Sequence, residues 1–92
     1  MIRSFSCSET RALFEGARVP RFVNFMAAAE RKLTMLNAAV ALRDLRSPPG
    51  NMLEALEGDR AGQHSIRINK QWRICFVWTE DGPANVEIVD YH

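Results

Sequence analysis

The sequence has few residues of the kinds that usually hold metals or disulfides: two cysteines and two histidines among 92 residues. Cys7 and Cys75 lack metal-like spacing, so we expect neither a disulfide framework nor a structural zinc site, and we predict no metal or cofactor. No apolar stretch approaches about 18 residues, and the N-terminus has no apolar signal segment. A domain without membrane contact, in a reducing cytoplasm, is therefore expected.

Lysine is also scarce, because ten of the 12 cationic side chains are arginine. Residues 1–46 carry eight Lys or Arg against four Asp or Glu, whereas residues 47–92 carry four against seven. The formal net charge of +1 thus hides a basic half and an acidic half. Arginine favours planar, bidentate contacts to phosphate or carboxylate. The composition allows a polyanionic ligand, although any single arginine is more simply explained as solvated surface.

The first half of the chain reads as helical within one compact domain, residues 1–92. A short strand is predicted at residues 1–6, then a helix capped by Ser8 and stopped by Gly16. After Pro20, apolar residues recur at intervals of four and three, which predicts one face of a long amphipathic helix: Phe22, Met26, Ala29, Leu33, Leu36 and Val40. A coiled-coil seam has the same spacing, but the flanking positions lack its ordered charges, so a core-facing helix is favoured. Asn37 is predicted to cap a further helical turn over residues 38–45.

From Gln63 onward the apolar period changes to two, which predicts strands. If the apolar sets share one face, the first connecting loop must be odd, at residues 69–71, and Arg67 and Arg73 then meet on the opposite face. Trp72 and Trp78 have the parity of the core positions, so we interpret them as core rather than as base-stacking groups. Together these patterns predict an α+β fold. An N-terminal strand and two to three helices cover one face of an antiparallel sheet whose last three strands form a meander.

The final strand leads from a turn at residues 81–83 to Asp90, Tyr91 and His92, which we expect to be ordered. These three groups can donate, accept and transfer protons near neutral pH, as RNA phosphodiester cleavage requires. His92 has a suitable reference pKa of about 6.5, although a solvated terminal histidine is the alternative. In a regular strand Tyr91 and His92 lie on opposite faces, so the chain must curl if both act together.

Cationic side chains elsewhere are candidates to hold the phosphate: Arg60, Arg67 and Arg73, with Lys70 as a further RNA contact. His64 is either a surface or sheet residue or a member of the site. The glycine-rich segment at residues 58–62 lacks a following Lys-Ser/Thr and precedes a strand, so it is a turn that aims Arg60 and not a P-loop.

Several segments resemble the HigB-type, plasmid-maintenance "killer" toxins of the RelE superfamily, over almost the whole chain. The segments are residues 1–5, 48–51, 56–62, 65–69, 71–76 and 89–92. The resemblance implies the toxin half of a bacterial toxin–antitoxin pair, an endoribonuclease that enters the ribosomal A site and cuts mRNA there. It also implies catalysis without a metal, a 2′,3′-cyclic phosphate product and a separate helix-turn-helix antitoxin, through which oligomers form.

Carried over by position, residues 90–92 match the family's catalytic carboxyl-terminal residues, and Arg73 matches its phosphate-contacting arginine. Two positions depart from the pattern. Glu54 stands where some relatives have a catalytic histidine, and Glu57 stands where they have a lysine. Glu54 can still accept a proton, but both changes weaken electrostatic stabilisation, so the resemblance implies a slower toxin. His64 is a candidate for a second imidazole.

Two other functions compete with mRNA cleavage. The acidic pair Glu54 and Glu57 also fits a catalytically weak module that binds the ribosome or the antitoxin and acts by occupancy. A DNA-binding regulator is less well supported, because the sequence has neither a helix-turn-helix signature nor a concentrated basic recognition helix.

Overall fold

The computed structural model describes residues 1–90 and has helices on one side of a sheet. Two α-helices, α1 (Ser8–Phe14) and α2 (Met26–Ala38), precede four strands: β1 (Glu54–Ala55), β2 (His64–Arg67), β3 (Trp72–Thr79) and β4 (Gly82–Asp90). Short 3₁₀ helices lie at Pro20–Phe25, Leu42–Arg46, Pro49–Asn51 and Gly58–Arg60. Neighbouring strands are antiparallel, in the order β1-β2-β3-β4. The predicted α+β class and the terminal meander are confirmed.

The core lies between the helices and one face of the sheet. On α2, Ala29, Leu33 and Leu36 are fully buried, as the interval of four and three predicts. The sheet contributes its alternate side chains, all buried: Ile66, Ile74, Phe76, Val86 and Ile88. Burying each of the larger aliphatic side chains stabilises the fold by about 1.5–3 kcal/mol. Apolar burial on one sheet face leaves the opposite face for polar side chains.

The β2–β3 hairpin has the register that the sequence predicts. Arg67 pairs with Arg73, and the Ile68 N–H donates to the Trp72 carbonyl at 2.9 Å. The Asn69 side-chain oxygen accepts from the N–H groups of Gln71 and Trp72, both at 2.8 Å, which closes a loop at residues 69–71. Trp72 packs on the core, stacked against the Phe25 ring at 4.8 Å between centroids. The odd loop therefore places Arg67 and Arg73 side by side.

The helical half differs from the prediction at its ends. Ser8 is the first residue of α1, Cys7 holds the N-cap position, and no side chain caps this helix. Residues 20–25 form a 3₁₀ helix, so α2 begins only at Met26. It ends at Ala38, which leaves Val40 89% exposed and outside the apolar face.

The predicted helical turn over residues 38–45 is also wrong. The chain leaves α2 in an extended conformation at Ala39 and forms the 3₁₀ helix Leu42–Arg46. Asp44 accepts hydrogen bonds from the Val40 and Ala41 N–H groups, both at 3.0 Å. Asn37 instead accepts from the Ile2 N–H at 2.8 Å. A carboxylate three residues inside the turn thus does the capping that the sequence assigned to Asn37.

The predicted N-terminal strand is reduced to an isolated parallel bridge between Phe5 and Val86. Residues 3–6 follow β4 through three backbone hydrogen bonds, and Ser4 and Ser6 also bond the backbone of Asn85. Asn85 has a positive φ of 53° at an irregularity in the β3–β4 register, where pairing shifts between Cys75 and Val77. A bulge disrupts the ladder locally, and the N-terminal segment lies beside β4 at this irregular position with a single bridge.

Two features of the sheet were not predicted: the edge strand β1 and the early start of β4. The edge strand β1 was not predicted, because two residues are too short to show alternation. β4 starts at Gly82, where φ is +124° and the Met1 backbone lies against the glycine. Within residues 1–90, no helix has both the length and the apolar character needed to cross a membrane.

Candidate functional site

The sheet face opposite the helices gathers several of the predicted site residues. Ser65 and Arg67 on β2, and Arg73 and Cys75 on β3, alternate with core residues and so share this face. Glu54 on β1 pairs with Ser65 and joins them. We call this surface the helix-free face.

Arg73 is the most constrained cation on the helix-free face. Its residue is only 8% exposed. Its Nε donates to the Ser65 hydroxyl at 2.8 Å, and its Nη2 donates to the Met52 carbonyl at 2.7 Å. Nη2 also lies 3.7 Å from a Glu54 carboxylate oxygen, and the Glu54 side chain is 49% exposed. A buried guanidinium is thus fixed by neutral acceptors and meets a carboxylate at the protein surface.

Arg67 lies across the strand pair from Arg73 and is partly exposed. Its Nε donates to the Asn69 carbonyl at 3.0 Å, and its Nη1 lies 3.1 Å from the Met52 sulfur. Met52 therefore contacts both arginines, one through its carbonyl and one through its side chain. It has a left-handed φ of 46° and is 53% exposed. Strained backbone of this kind tends to cluster at functional sites.

Arg60 is engaged by a different carboxylate. Its Nη1 lies 3.1 Å from Glu87 and donates to the Gln63 side-chain oxygen at 3.1 Å. The turn at Gly58–Arg60 aims this side chain at the sheet, as predicted, but toward Glu87. Burial raises the pKa of the neighbouring Cys75 thiol. Cys75 is thus a packed, protonated thiol inside β3.

Asp90 ends β4, where it pairs with Trp72 across the sheet. Its carboxylate accepts from the Gln71 side-chain amide at 3.0 Å and is exposed. Tyr91 and His92, the other two members of the predicted trio, lie outside the described residues. Their catalytic roles stay predictions.

His64 is not brought to Arg73. It has the parity of Ile66, and its ring stacks on Phe76 at 6.3 Å between centroids. Its Nδ1 is buried without a hydrogen-bond partner in residues 1–90. The ring borders a cavity of about 410 Å³ at the β1 edge, lined by Leu42, Arg43, Arg46, Leu53, Glu54, Ala55 and His64. Of the predicted site residues, His64 shares only Glu54 as a neighbour there.

A second cavity, of about 480 Å³, lies between α2 and the β2–β3 loop. Its lining residues are Arg31, Lys32, Gly50, Arg67, Ile68, Asn69 and Lys70. We call it the basic groove, because four of the seven residues are cations. Lys70 and Arg67 were predicted as RNA contacts, and the structure places both here.

Sequence reasoning missed Arg31 and Lys32, since they lie nearly 40 residues away from the loop that they face. It also missed Ser65 and the Met52 carbonyl as partners of Arg73. Strand parity with Arg67 was the available signal for Ser65, because the two flank Ile66. Within residues 1–90 no group of three His, Cys, Asp or Glu side chains is placed to hold a metal ion.

Two helices on one face of an antiparallel sheet, with arginines on the other face, are consistent with a RelE-like toxin fold. A family model described as the RelE-like toxin of the type II toxin–antitoxin system HigB matches residues 16–92. The chain belongs to this HigB-like toxin family.

Two relatives are similar to this chain, and the name of the first agrees with the assignment. "Toxin HigB-1" of Vibrio cholerae is 53% identical over 62 residues, which cover 67% of this chain and 64% of that protein. An uncharacterised Haemophilus influenzae protein is 41% identical over 69 residues, covering 75% of this chain and 67% of its own length. The match thus spans less than two thirds of the length of Toxin HigB-1 and about two thirds of the second relative.

Proposed function

We propose that this protein is the toxin of a type II toxin–antitoxin pair and an endoribonuclease that cuts mRNA in the ribosomal A site. The proposal rests on membership of the HigB-like toxin family, over residues 16–92. It includes a separate helix-turn-helix antitoxin as partner, oligomers formed through that antitoxin, the ribosome and mRNA as targets, and a cytoplasmic location.

The observation that supports cleavage most directly is the setting of Arg73. Two neutral acceptors, the Ser65 hydroxyl and the Met52 carbonyl, orient its guanidinium without cancelling its charge. A cation held in place before the substrate arrives stabilises charge that develops on a phosphate and needs little reorganisation. Glu54, 3.7 Å away, is half exposed, so an incoming phosphate can approach this edge of the ion pair.

The proposed reaction attacks phosphorus with the neighbouring 2′-oxygen. A P–O bond to the 2′-oxygen forms, the bond to the 5′-oxygen breaks, and a 2′,3′-cyclic phosphate and a 5′-hydroxyl result. A base removes the 2′-hydroxyl proton, and Glu54, which shares the helix-free face with Arg73, is the described candidate. Asp90 was also predicted for the site, but it pairs with the core residue Trp72 and so lies on the opposite face of the sheet. An acid protonates the leaving 5′-oxygen, and His92 is proposed for this role, with Tyr91 assisting the phosphate contact.

Glu54 and Glu57 bear on the rate. Glu54 partly neutralises Arg73, and Glu57 adds a second exposed negative charge two residues beyond β1. Negative charge near a phosphodiester opposes both binding and the transition state. We therefore propose a slow nuclease that depends on the ribosome to position its substrate.

The experiment is cleavage of mRNA on programmed ribosomes, with the ends mapped at nucleotide resolution. Wild type should cut within the A-site codon, and His92→Ala and Arg73→Ala should not. Absence of cuts with wild type, or equal cutting by all three proteins, would contradict the proposal. Free RNA is an uninformative substrate, since the ribosome supplies positioning.

A second function, inhibition by occupancy, is favoured by the two ion pairs. Glu54 and Glu87 each lie against an arginine that was expected to contact phosphate, Arg73 and Arg60. A protein with its cations partly neutralised can bind a ribosome or antitoxin without efficient chemistry. Growth arrest that persists in a His92→Ala, Tyr91→Phe double variant would support occupancy over cleavage.

A further inference from the structure

The basic groove differs in charge from the cavity beside His64, because Glu54 lines that cavity. None of its four cations, Arg31, Lys32, Arg67 and Lys70, forms an ion pair with a carboxylate of residues 1–90. No acidic side chain lines it. Its volume of about 480 Å³ lies within the usual range of ligand sites. The groove thus concentrates positive charge without an internal partner.

Lys32 is held in position by a buried amide. Its Nζ donates to the side-chain oxygen of Asn51, a fully buried residue. The amide nitrogen of Asn51 donates in turn to the carbonyls of Leu45 and Ser47, at 3.1 and 3.3 Å. Partial burial, with Arg31 beside it, lowers the pKa of Lys32. The ammonium is therefore oriented by a neutral acceptor in a setting where an added anion stabilises its charge.

Arg67 connects the groove to the helix-free face. It lines the groove, and it lies directly across the β2–β3 pair from Arg73. An extended polyanion with one phosphate at Arg73 would find its next row of cations at Arg67 and then in the groove. Unpaired cations in such a row suit a phosphate backbone, whose charges repeat.

We propose that Arg31 and Lys32, with Arg67 and Lys70, form a second RNA phosphate subsite that continues the Arg73 site. This inference rests on the proposed function and adds a binding surface to it. The phosphates come either from the mRNA strand or from ribosomal RNA. Both present the same phosphodiester chemistry, and the experiment separates them.

The test compares two double variants: Arg31→Gln with Lys32→Gln in the groove, and Arg3→Gln with Arg18→Gln as the matched control. The matched arginines are exposed and make no side-chain hydrogen bond or ion pair in residues 1–90, so the net charge changes equally. Binding is measured from low to moderate salt, first to a 2′-O-methyl RNA oligonucleotide, which cannot be cleaved, and then to 30S subunits without mRNA. Lys32→Arg keeps the charge, and thermal unfolding checks that every variant folds.

Losing two phosphate contacts should make the slope of log binding constant against log salt shallower by about 1.4, at about 0.7 per contact for single strands. A change in the oligonucleotide arm assigns the groove to the mRNA strand. A change confined to the 30S arm assigns it to ribosomal RNA. Lys32→Arg should retain the wild-type slope in either case.

Slopes equal to those of the matched pair in both arms would overturn the proposal. The proposal would also be overturned if Lys32→Arg made the slope as shallow as the Arg31→Gln, Lys32→Gln double variant does, because the positive charge at residue 32 would then be irrelevant. Neither binding measurement requires cleavage. Absence of mRNA cuts on programmed ribosomes would therefore contradict the nuclease assignment, and the binding result would still test the groove by itself.

Discussion

The helix-free face and the basic groove are both rich in cations, but they treat their charges differently. On the face, Arg73 lies 3.7 Å from Glu54 and Arg60 lies 3.1 Å from Glu87. In the groove, no cation is paired with a carboxylate of the described chain. Arg67 borders both regions. One surface therefore carries fixed and partly neutralised cations, and the other carries unneutralised ones.

This difference suggests that the oriented arginine of the helix-free face acts in catalysis, whereas the cations of the basic groove act in binding. A guanidinium fixed by short hydrogen bonds acts at one atom of a substrate, and its value lies in the reacting step. Unpaired surface cations act over about a Debye length, roughly 10 Å at 0.1 M salt, and mainly raise affinity and association rate. We therefore expect changes on the face to alter kcat and changes in the groove to alter KM.

The largest effect is expected for Arg73→Ala, measured as single-turnover cleavage on saturating programmed ribosomes. Removing one preoriented donor to a developing negative charge typically lowers the rate about 10²–10³-fold. Arg73→Lys keeps the charge but loses the planar fork, so an intermediate rate is expected. The groove pair Arg31→Gln, Lys32→Gln should leave this saturated rate within a few-fold of wild type. The proposed difference between the two surfaces would be contradicted if the groove variant lowered the cleavage rate as much as Arg73→Ala does.

Ser65→Ala should have the next largest effect, because it removes the acceptor of the Arg73 Nε bond at 2.8 Å. Leaving a buried charged donor without its partner costs about 1–3 kcal/mol of unfolding free energy. Cleavage should also fall, since the guanidinium loses one of the short hydrogen bonds that orient it within residues 1–90. Urea unfolding measures the first effect and ribosome cleavage the second. Ser6→Ala, which loses an exposed hydroxyl bond to the Asn85 carbonyl, is the matched control and should change neither by much.

Glu57→Lys should raise RNA affinity modestly. It exchanges an exposed anion for a cation beside β1, and exposed charges contribute about 0.2–1 kcal/mol each. We expect a few-fold tighter binding of the 2′-O-methyl oligonucleotide at low salt, fading as salt is added. Glu57→Gln should give a smaller gain in the same direction. Unchanged or weaker binding by the lysine variant would contradict the expectation that Glu57 lies near the RNA.

Much of the fold could be predicted because the sequence pattern is periodic where the core is. Alternation from Ile66 to Trp78 fixed the odd loop and hence the pairing of Arg67 with Arg73. The buried face of α2 followed from the interval between Ala29, Leu33 and Leu36 in the same way. In these segments the spacing of apolar residues indicates which face is buried, and that spacing can be recognised within a short stretch of sequence.

Other features depend on contacts that no local pattern encodes. The basic groove brings Arg31 and Lys32 next to a hairpin loop distant in sequence. The segment expected to form a strand at residues 1–6 makes only one bridge, to Val86, which lies some 80 residues away in the sequence. The pairing of Arg67 with Arg73 was therefore predictable within one hairpin, whereas Arg31 and Lys32 were missed because the groove joins separate elements.

The smallest effect concerns Asp44, a carboxylate whose charge is met by backbone rather than by a guanidinium. Hydrogen bonds from the Ala41 and Val40 N–H groups, and then the charge of Arg43, lower the pKa of Asp44 below its ordinary value of 3.8. A lowered folded-state pKa stabilises the fold above pH 3.8, and this contribution disappears as pH falls through the folded-state value. Asp44→Asn should therefore be less stable than wild type near neutral pH, and the difference should shrink in acid. Unfolding free energies measured from about pH 7 to about pH 2 test this, because linkage requires the two profiles to converge. Parallel profiles would show that the charge of the Asp44 carboxylate contributes nothing to the stability of the fold.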